Sequence, residues 1–204
     1  CNCIAIYYSI ESPVCTAGKR KKVERACKLR EFVLKWSQKY ERGEPMLRIL
    51  FVCTGNICRS PMAEFLLRDM VEKAGLADRF EIASAGVSDE EYGAPVYPPV
   101  RRLLNARGIS CDGKHARQLT RADYAKFDSI IAMTERHRRS MLRTFGGDPE
   151  GKLSLLLEYT DRPRDLDDPW YTGEFERAAA EIEEGLRGLV AQLTGKALPP
   201  ARKE

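Results

Sequence analysis

The chain has 204 residues, 43% of them hydrophobic and 31% charged, a composition that predicts one globular domain with a modest appendage. No run approaches the ~18 consecutive apolar residues of a membrane span, and no Gly, Pro or Ser bias marks a fibrous or disordered chain. The net charge of +4 is uneven: residues 1–45 hold 10 Lys/Arg against 5 Asp/Glu, net +5, and the remainder is net −1, which argues against a nucleic-acid-binding domain built on many basic phosphate contacts.

The seven cysteines divide at the same place. Cys1, Cys3, Cys15 and Cys27 fall in the first 45 residues, and Cys53, Cys58 and Cys111 in the rest. An odd number at irregular spacing makes a poor disulfide framework, so a reducing, cytoplasmic location is expected. A metal site is not expected, because Cys53 and Cys58 are matched by no second ligand pair and His115 and His137 are the only histidines.

In chain order, residues 1–45 read as a basic N-terminal extension, either sequence upstream of Met46 or a helical appendage. Within it Val23, Ala26, Leu29, Val33, Trp36 and Tyr40 recur at helical spacing. It does not read as a secretory signal, since its apolar start lacks a basic leader. From Met46 the pattern alternates. The run 48–52 (RILFV) predicts a buried strand, and a polar turn leads to a helix over 60–75. That helix has Pro61 near its start, Met62, Phe65, Leu66 and Val71 on its apolar face, and Gly75 at its end. Strands are predicted at 80–83, 128–133 and 152–157, and helices at 98–107, 135–145 and 173–193. This defines a domain over 46–194 and a C-terminal tail over 195–204. Alternating strands and helices predict an α/β fold, a parallel sheet covered on both faces, with its ligand crevice beyond the carboxyl ends of the strands.

The first strand delivers Cys53-Thr54-Gly55-Asn56-Ile57-Cys58-Arg59-Ser60-Pro61 into that crevice. Backbone N–H groups of such a loop, with the positive end of the helix, converge into an anion cradle. The field that binds phosphate also stabilises a thiolate, so Cys53 is placed to attack phosphorus. Arg59 adds a planar two-pronged grip on phosphate oxygens. Gly55 permits the tight loop, and the Asn56 amide can tie loop segments together. Departure of an ester oxygen needs a proton donor, best supplied by a carboxylic acid on a mobile loop, and the segment 165–171 (DLDDPWY) offers one. The aromatic pair Trp170 and Tyr171 that closes it could sandwich a phenol ring. Cys58, five residues after Cys53, is close enough to act as its redox partner, trapping an oxidised thiolate as a reversible disulfide; Cys111 has no such neighbour.

Residues 46–193 resemble the low-molecular-weight protein tyrosine phosphatases. The family's signature V-C-x-G-N-x-C-R-S-P matches Val52 to Pro61 throughout. The resemblance continues in Ser84-Ala85-Gly86, in Ala116-Arg117-Gln118-Leu119-Thr120, in Phe127-Asp128 with Ile131-Ala132-Met133, and in Asp168-Pro169-Trp170-Tyr171. It implies a four-stranded parallel sheet with helices on both faces, the phosphotyrosine protein phosphatase I-like fold, and no metal or organic cofactor. It also implies that Asp168 is the general acid and that catalysis runs through a phosphocysteine on Cys53, with Arg59 holding the equatorial oxygens. Thr54, Gly55, Asn56, Ile57, Cys58 and Ser60 would form the substrate-binding loop, Ser60 easing departure of the Cys53 sulfur, with Trp170 and Tyr171 flanking the phenol and Ser84 supporting the loop. Asp167 is expected to be a solvated loop residue. The implied partners are phosphotyrosine-containing proteins, with no nucleic acid and no membrane span, and a monomer is expected.

Three positions depart from the family pattern. Lys114 stands where relatives often carry a histidine that braces the loop asparagine, Glu90 where an aromatic residue follows Ser88-Asp89, with Tyr92 two further on, and Tyr97-Pro98 where Asp-Pro is common. Other activities on the same loop fit these residues less well. A protein arginine phosphatase typically has Thr where this chain has Ile57, arsenate reduction needs relay cysteines and none follows Cys111, and a catalytically dead phosphate-binding module needs neither nucleophile nor acid.

Overall fold

The computed structural model describes residues 47–194. The expected extension and tail, including the Val23 to Tyr40 stripe, lie outside the described residues.

The run LRILFVC forms the central strand β1, Leu47–Cys53, buried at every position but Arg48. A parallel strand covered on both faces needs such a continuous apolar run. It pairs with β2 (Phe80–Gly86) on one side and β3 (Ser129–Ala132) on the other, and β4 (Leu153–Leu155) completes an all-parallel sheet in the order β2-β1-β3-β4. This is the four-stranded parallel α/β sheet expected from the alternation and the resemblance. Strand β2 runs beyond residue 83 because Ala85 and Gly86 continue in register against Val52 and Cys53. Strand β4 stops short of residue 157 because the Glu158 carboxylate accepts the Leu155 N–H at 3.2 Å and the chain turns into a 3-10 helix, Leu156–Tyr159.

The helices are α1 (Arg59–Lys73), α2 (Pro98–Ala106), α3 (Ala122–Lys126), α4 (Glu135–Phe145), α5 (Pro169–Thr172) and α6 (Phe175–Thr194). Leu50 and Val52 of β1, with Ala85, Ile130 and Ala132, pack against Met141 and Phe145 of α4. Side chains alternate along a strand, so Ile49 and Phe51 face the opposite layer, where α1 packs on β1 and β2 and α6 packs on α1. Ile49, Leu50, Phe51 and Val52 are all 0% exposed, and each such side chain contributes roughly 1.5–3 kcal/mol.

Helices α3 and α5 have only five and four residues, too few to show a 3.6-residue period. Helix α6 starts at Phe175 because Gly173, at φ 75°, adopts the left-handed conformation that closes α5. The Thr134 hydroxyl accepts the His137 N–H and caps α4. All four strands point the same way, so Cys53, Gly86, Ala132 and Leu155 deliver their loops to one edge of the sheet. Among the described residues no helix is long and apolar enough to cross a membrane.

Candidate active site

Between Cys53 and the first turn of α1 the chain makes a tight loop in which Asn56 holds φ 59°. Asn tolerates this left-handed region better than most residues. Among the described residues no backbone carbonyl or side chain accepts from the N–H groups of residues 54–60. Amides without acceptors among the described residues, at the positive end of a 15-residue helix, suit an anion.

The loop is pinned from below. Asn56 Nδ2 donates to Ser60 Oγ at 2.9 Å and to Ser84 Oγ at 2.7 Å, while Asn56 Oδ1 accepts the Arg117 N–H at 3.1 Å. The Ser84 hydroxyl donates to Glu64 Oε2 at 2.5 Å, and Lys114 Nζ donates to the same oxygen at 2.7 Å. Asn56, Ser60, Glu64 and Ser84 are all buried, so each polar atom needs such a partner. Lys114 thus shares the buried Glu64 with Arg68, which pairs with the other carboxylate oxygen at 2.6 Å, and Ser84 and Arg117 do the bracing of Asn56. His115, one residue on, is exposed and lies 3.0 Å from the Gly93 carbonyl. From the neighbouring strand Gly86 presses against the loop: a Cβ there would meet the Thr54 carbonyl oxygen at 2.6 Å and the Asn56 nitrogen at 3.1 Å.

At the end of β1, Cys53 Sγ lies 3.0 Å from Ser60 Oγ. A thiolate can only accept, so against the ionised form Ser60 is the donor. Arg59 is 5% exposed and its Nη2 forms an ion pair with Asp168 Oδ2. The other Asp168 oxygen caps α5, accepting the Trp170 N–H at 3.2 Å. Asp167 points away into solvent and pairs with Arg177 at 3.4 Å. Of the two adjacent carboxylates, only Asp168 reaches the loop.

The aromatic rim differs from the expected wall. Trp170, half exposed, packs on Tyr97 with ring centroids 4.6 Å apart, and Tyr97 also meets Phe175 at 5.9 Å. The Tyr97 N–H donates to the Ile57 carbonyl at 2.9 Å, so one residue links the phosphate loop to the segment carrying Asp168. Tyr171 is 86% and Tyr92 73% exposed. Cys58 is buried beside the loop, and burial, with Cys53 and Asp168 adding, pushes its thiol up to about 12. Cys53, Cys58 and Cys111 are free thiols. Among the described residues no three His, Cys, Asp or Glu side chains group so as to hold a metal ion.

Sequence reasoning gives no role to Glu64, Thr134 or His137, and it marks Tyr97 only as a departure from the family pattern. The His137 ring bridges the Thr54 and Thr134 hydroxyls at 2.9 Å each. Its only sequence signal was a lone histidine in a helix, which ordinarily marks a satisfied core residue.

Residues 48–198 match the family model described as low molecular weight phosphotyrosine protein phosphatase. The low molecular weight protein-tyrosine-phosphatase YfkJ of Bacillus subtilis is 39% identical over 150 residues, spanning 72% of this chain and 96% of its own length. A low molecular weight phosphotyrosine protein phosphatase of Schizosaccharomyces pombe is 40% identical over 131 residues, 62% of this chain and 83% of the other. The crystal structure of YfkJ superposes with a TM-score of 0.71 at 38% identity, covering 74% of this chain and 96% of that one. The arginine phosphatase YwlE, also of Bacillus subtilis, superposes with a TM-score of 0.64 at 32% identity, covering 72% and 95%. With three quarters of its length matched by the family model and near-complete relatives above 35% identity, the chain belongs to the low molecular weight phosphotyrosine protein phosphatase family.

Proposed function

We propose that this enzyme hydrolyses phosphotyrosine in proteins, in two steps through a phosphocysteine, with residues 46–194 as the catalytic domain, 1–45 as an appendage and 195–204 as a tail. The observation that carries the reading is the meeting of Cys53 and Arg59, from one loop, with Asp168, more than a hundred residues later in the sequence. In the first step the Cys53 thiolate attacks phosphorus in line and the P–O bond to the phenol breaks, while Asp168 passes its proton to the leaving oxygen. Water then attacks the phosphocysteine, Asp168 takes a proton from it, and the thiolate departs toward the Ser60 hydroxyl. Arg59 and the amides of Thr54, Gly55, Asn56, Ile57, Cys58 and Ser60 hold the equatorial oxygens more tightly as charge develops.

Ile57 and the Trp170–Tyr97 pair favour a planar phenol over a phosphoguanidine, since an apolar rim gains from burying an aromatic ring and offers a guanidinium no acceptor. Cys58 is the proposed redox partner: hydrogen peroxide oxidises the Cys53 thiolate to a sulfenic acid with release of hydroxide, and the Cys58 thiol condenses with that sulfenic acid to a disulfide with loss of water. The proposal places the enzyme in a reducing cytoplasm, where these thiols stay free.

The experiment compares hydrolysis of phosphotyrosine and phosphoarginine peptides by the full chain and by Cys53→Ser. The reading requires phosphotyrosine to be preferred, and Cys53→Ser to lose turnover while still binding phosphate. Preference for phosphoarginine would overturn the substrate, and turnover by Cys53→Ser would overturn the nucleophile.

A further inference from the structure

His137, in the first turn of α4, is 3% exposed, and both of its ring nitrogens are engaged. Nδ1 lies 2.9 Å from the Thr134 hydroxyl and Nε2 lies 2.9 Å from Thr54 Oγ1. The tautomer sets the direction of the two bonds. Thr134 Oγ1 already accepts the His137 backbone N–H at 3.3 Å, which favours Nδ1, the acceptor it meets among the described residues, for its own proton. The ring proton then sits on Nε2 and is donated to Thr54 Oγ1. Burial, with Arg59 and Arg136 adding, pushes the imidazole down to about 3, so a single ring proton is retained at neutral pH.

Thr54 Oγ1 also lies 3.5 Å from Arg59 Nη2, a group that can only donate. With both lone pairs occupied, the threonine keeps a hydroxyl proton that no described side chain or carbonyl accepts. The same Nη2 carries the Asp168 carboxylate, and Thr54 is exposed at the loop's mouth. An oxyanion that takes the place of Asp168 on Arg59 therefore arrives beside that proton.

We propose that the Thr54 side chain donates a hydrogen bond to an oxygen of the bound phosphoryl group, and that His137 is a positioning residue that holds the hydroxyl in this donor orientation. The inference rests on the phosphatase reading above and extends it from the loop's backbone to one side chain and its support. A donor held in place by a neutral ring adds a contact to the oxyanion without adding charge to the site.

The test has two arms, both on the full chain with inorganic phosphate as the probe. The first reads the histidine tautomers by ¹⁵N spectroscopy between about pH 5 and pH 8. The chain has only two histidines, and a His115→Asn variant assigns the signals. The expected result is a non-titrating His137 with its proton on Nε2. A proton on Nδ1 would overturn the proposal, because the Thr54 proton would then be committed to Nε2.

The second arm measures phosphate affinity by calorimetry, alongside thermal stability. Thr54→Val should bind phosphate about tenfold more weakly, as expected for one hydrogen bond to a charged group. Thr54→Ser should bind as the parent does, and His137→Asn added to Thr54→Val should cause no further loss of affinity. Parent-like affinity in Thr54→Val overturns the proposal, as does an equal loss in Thr54→Ser. Calorimetry needs no turnover, so a chain that binds phosphate with this Thr54 dependence but hydrolyses no phosphotyrosine would refute the substrate reading and leave this inference standing.

Discussion

The Asp168 carboxylate pairs with the Arg59 guanidinium, so the proposed acid holds the same group that is proposed to grip phosphate. The pair is well shielded, with side chains 6% and 23% exposed. In the proposed reaction the substrate's oxyanion and Asp168 share one cation, so an oxyanion that takes the Arg59 fork displaces the carboxylate and frees it for the leaving group.

Replacing Asp168 should separate those two effects. Asp168→Asn is expected to lose about 10²- to 10⁴-fold in kcat on aryl phosphates with basic leaving groups and much less on activated esters, while binding inorganic phosphate at least as tightly as the parent. Asp167→Asn, whose side chain faces Arg177 in solvent, should change neither. A leaving-group series with phosphate inhibition constants for both variants checks this. If Asp167→Asn carries the leaving-group effect, the acid is misassigned by one residue.

Residues 52–61 were legible because strand, loop and helix start follow one another in sequence, and the chemistry of the loop is local to them. What holds that loop was not. Asn56 meets Ser84 28 positions away and Arg117 61 positions away, and Lys114 meets Glu64 across 50 residues. Such pairs exist only once β2 has aligned beside β1. Lys114 looked like a missing brace, whereas in the fold it pairs with a glutamate that had drawn no notice as one polar residue in a helix. Tyr97 was set aside as a departure from the family pattern. Its ring partner Trp170 lies 73 residues later, and nothing in the local pattern of either residue announces the contact.

Gly86 offers a steric test of the loop. A methyl group at this position would meet the Thr54 carbonyl oxygen at 2.6 Å and Gly55 C at 3.0 Å, and backbone atoms yield less readily than side-chain tips. Gly86→Ala should fold, at a cost of about 1–3 kcal/mol from overpacking, but misplace the amides by a fraction of an ångström and lower kcat by as much as about 10²-fold. Melting temperature and kcat on one aryl phosphate measure both. Unchanged kcat would mean that the loop adjusts freely.

Asp123 gives a pH-dependent prediction. Burial alone pushes its carboxyl up, but hydrogen bonds from Arg117 and Thr120 outweigh burial and hold it below the ordinary range. A carboxyl depressed on folding stabilises the native state above its unfolded value, about 3.9, and that stability is lost as pH falls through the folded value. Asp123→Asn should therefore cost about 1–2 kcal/mol at pH 7, reduced somewhat because Arg117 is a third exposed. The gap from the parent should persist to about pH 5 and narrow only below about pH 4. Urea titrations across that range decide the matter, and a gap that widens on acidification would reverse the sign.

The rim residues should divide by role. Tyr97 bonds to the phosphate loop through its backbone, and its ring supports Trp170. Tyr97→Ala keeps the N–H but removes the ring, so Trp170 loses a contact worth about 0.5–1.5 kcal/mol and the segment carrying Asp168 loses one of its anchors. The expected result is a raised KM for phosphotyrosine peptides with a lowered kcat on poor leaving groups, whereas Tyr97→Phe stays near the parent. Trp170→Ala removes the same ring pair but keeps the Tyr97–Phe175 contact, so it should raise KM for peptides with a smaller change in the response to leaving-group basicity. Tyr171, at 86% exposed, should matter least of the three for small aryl phosphates. Steady-state constants on a phosphotyrosine peptide and on a small aryl ester discriminate among these outcomes. Should Tyr171→Ala raise KM for the aryl ester more than Trp170→Ala does, the phenol is held by the outer aromatic residue, and the Tyr97–Trp170 pair serves packing alone.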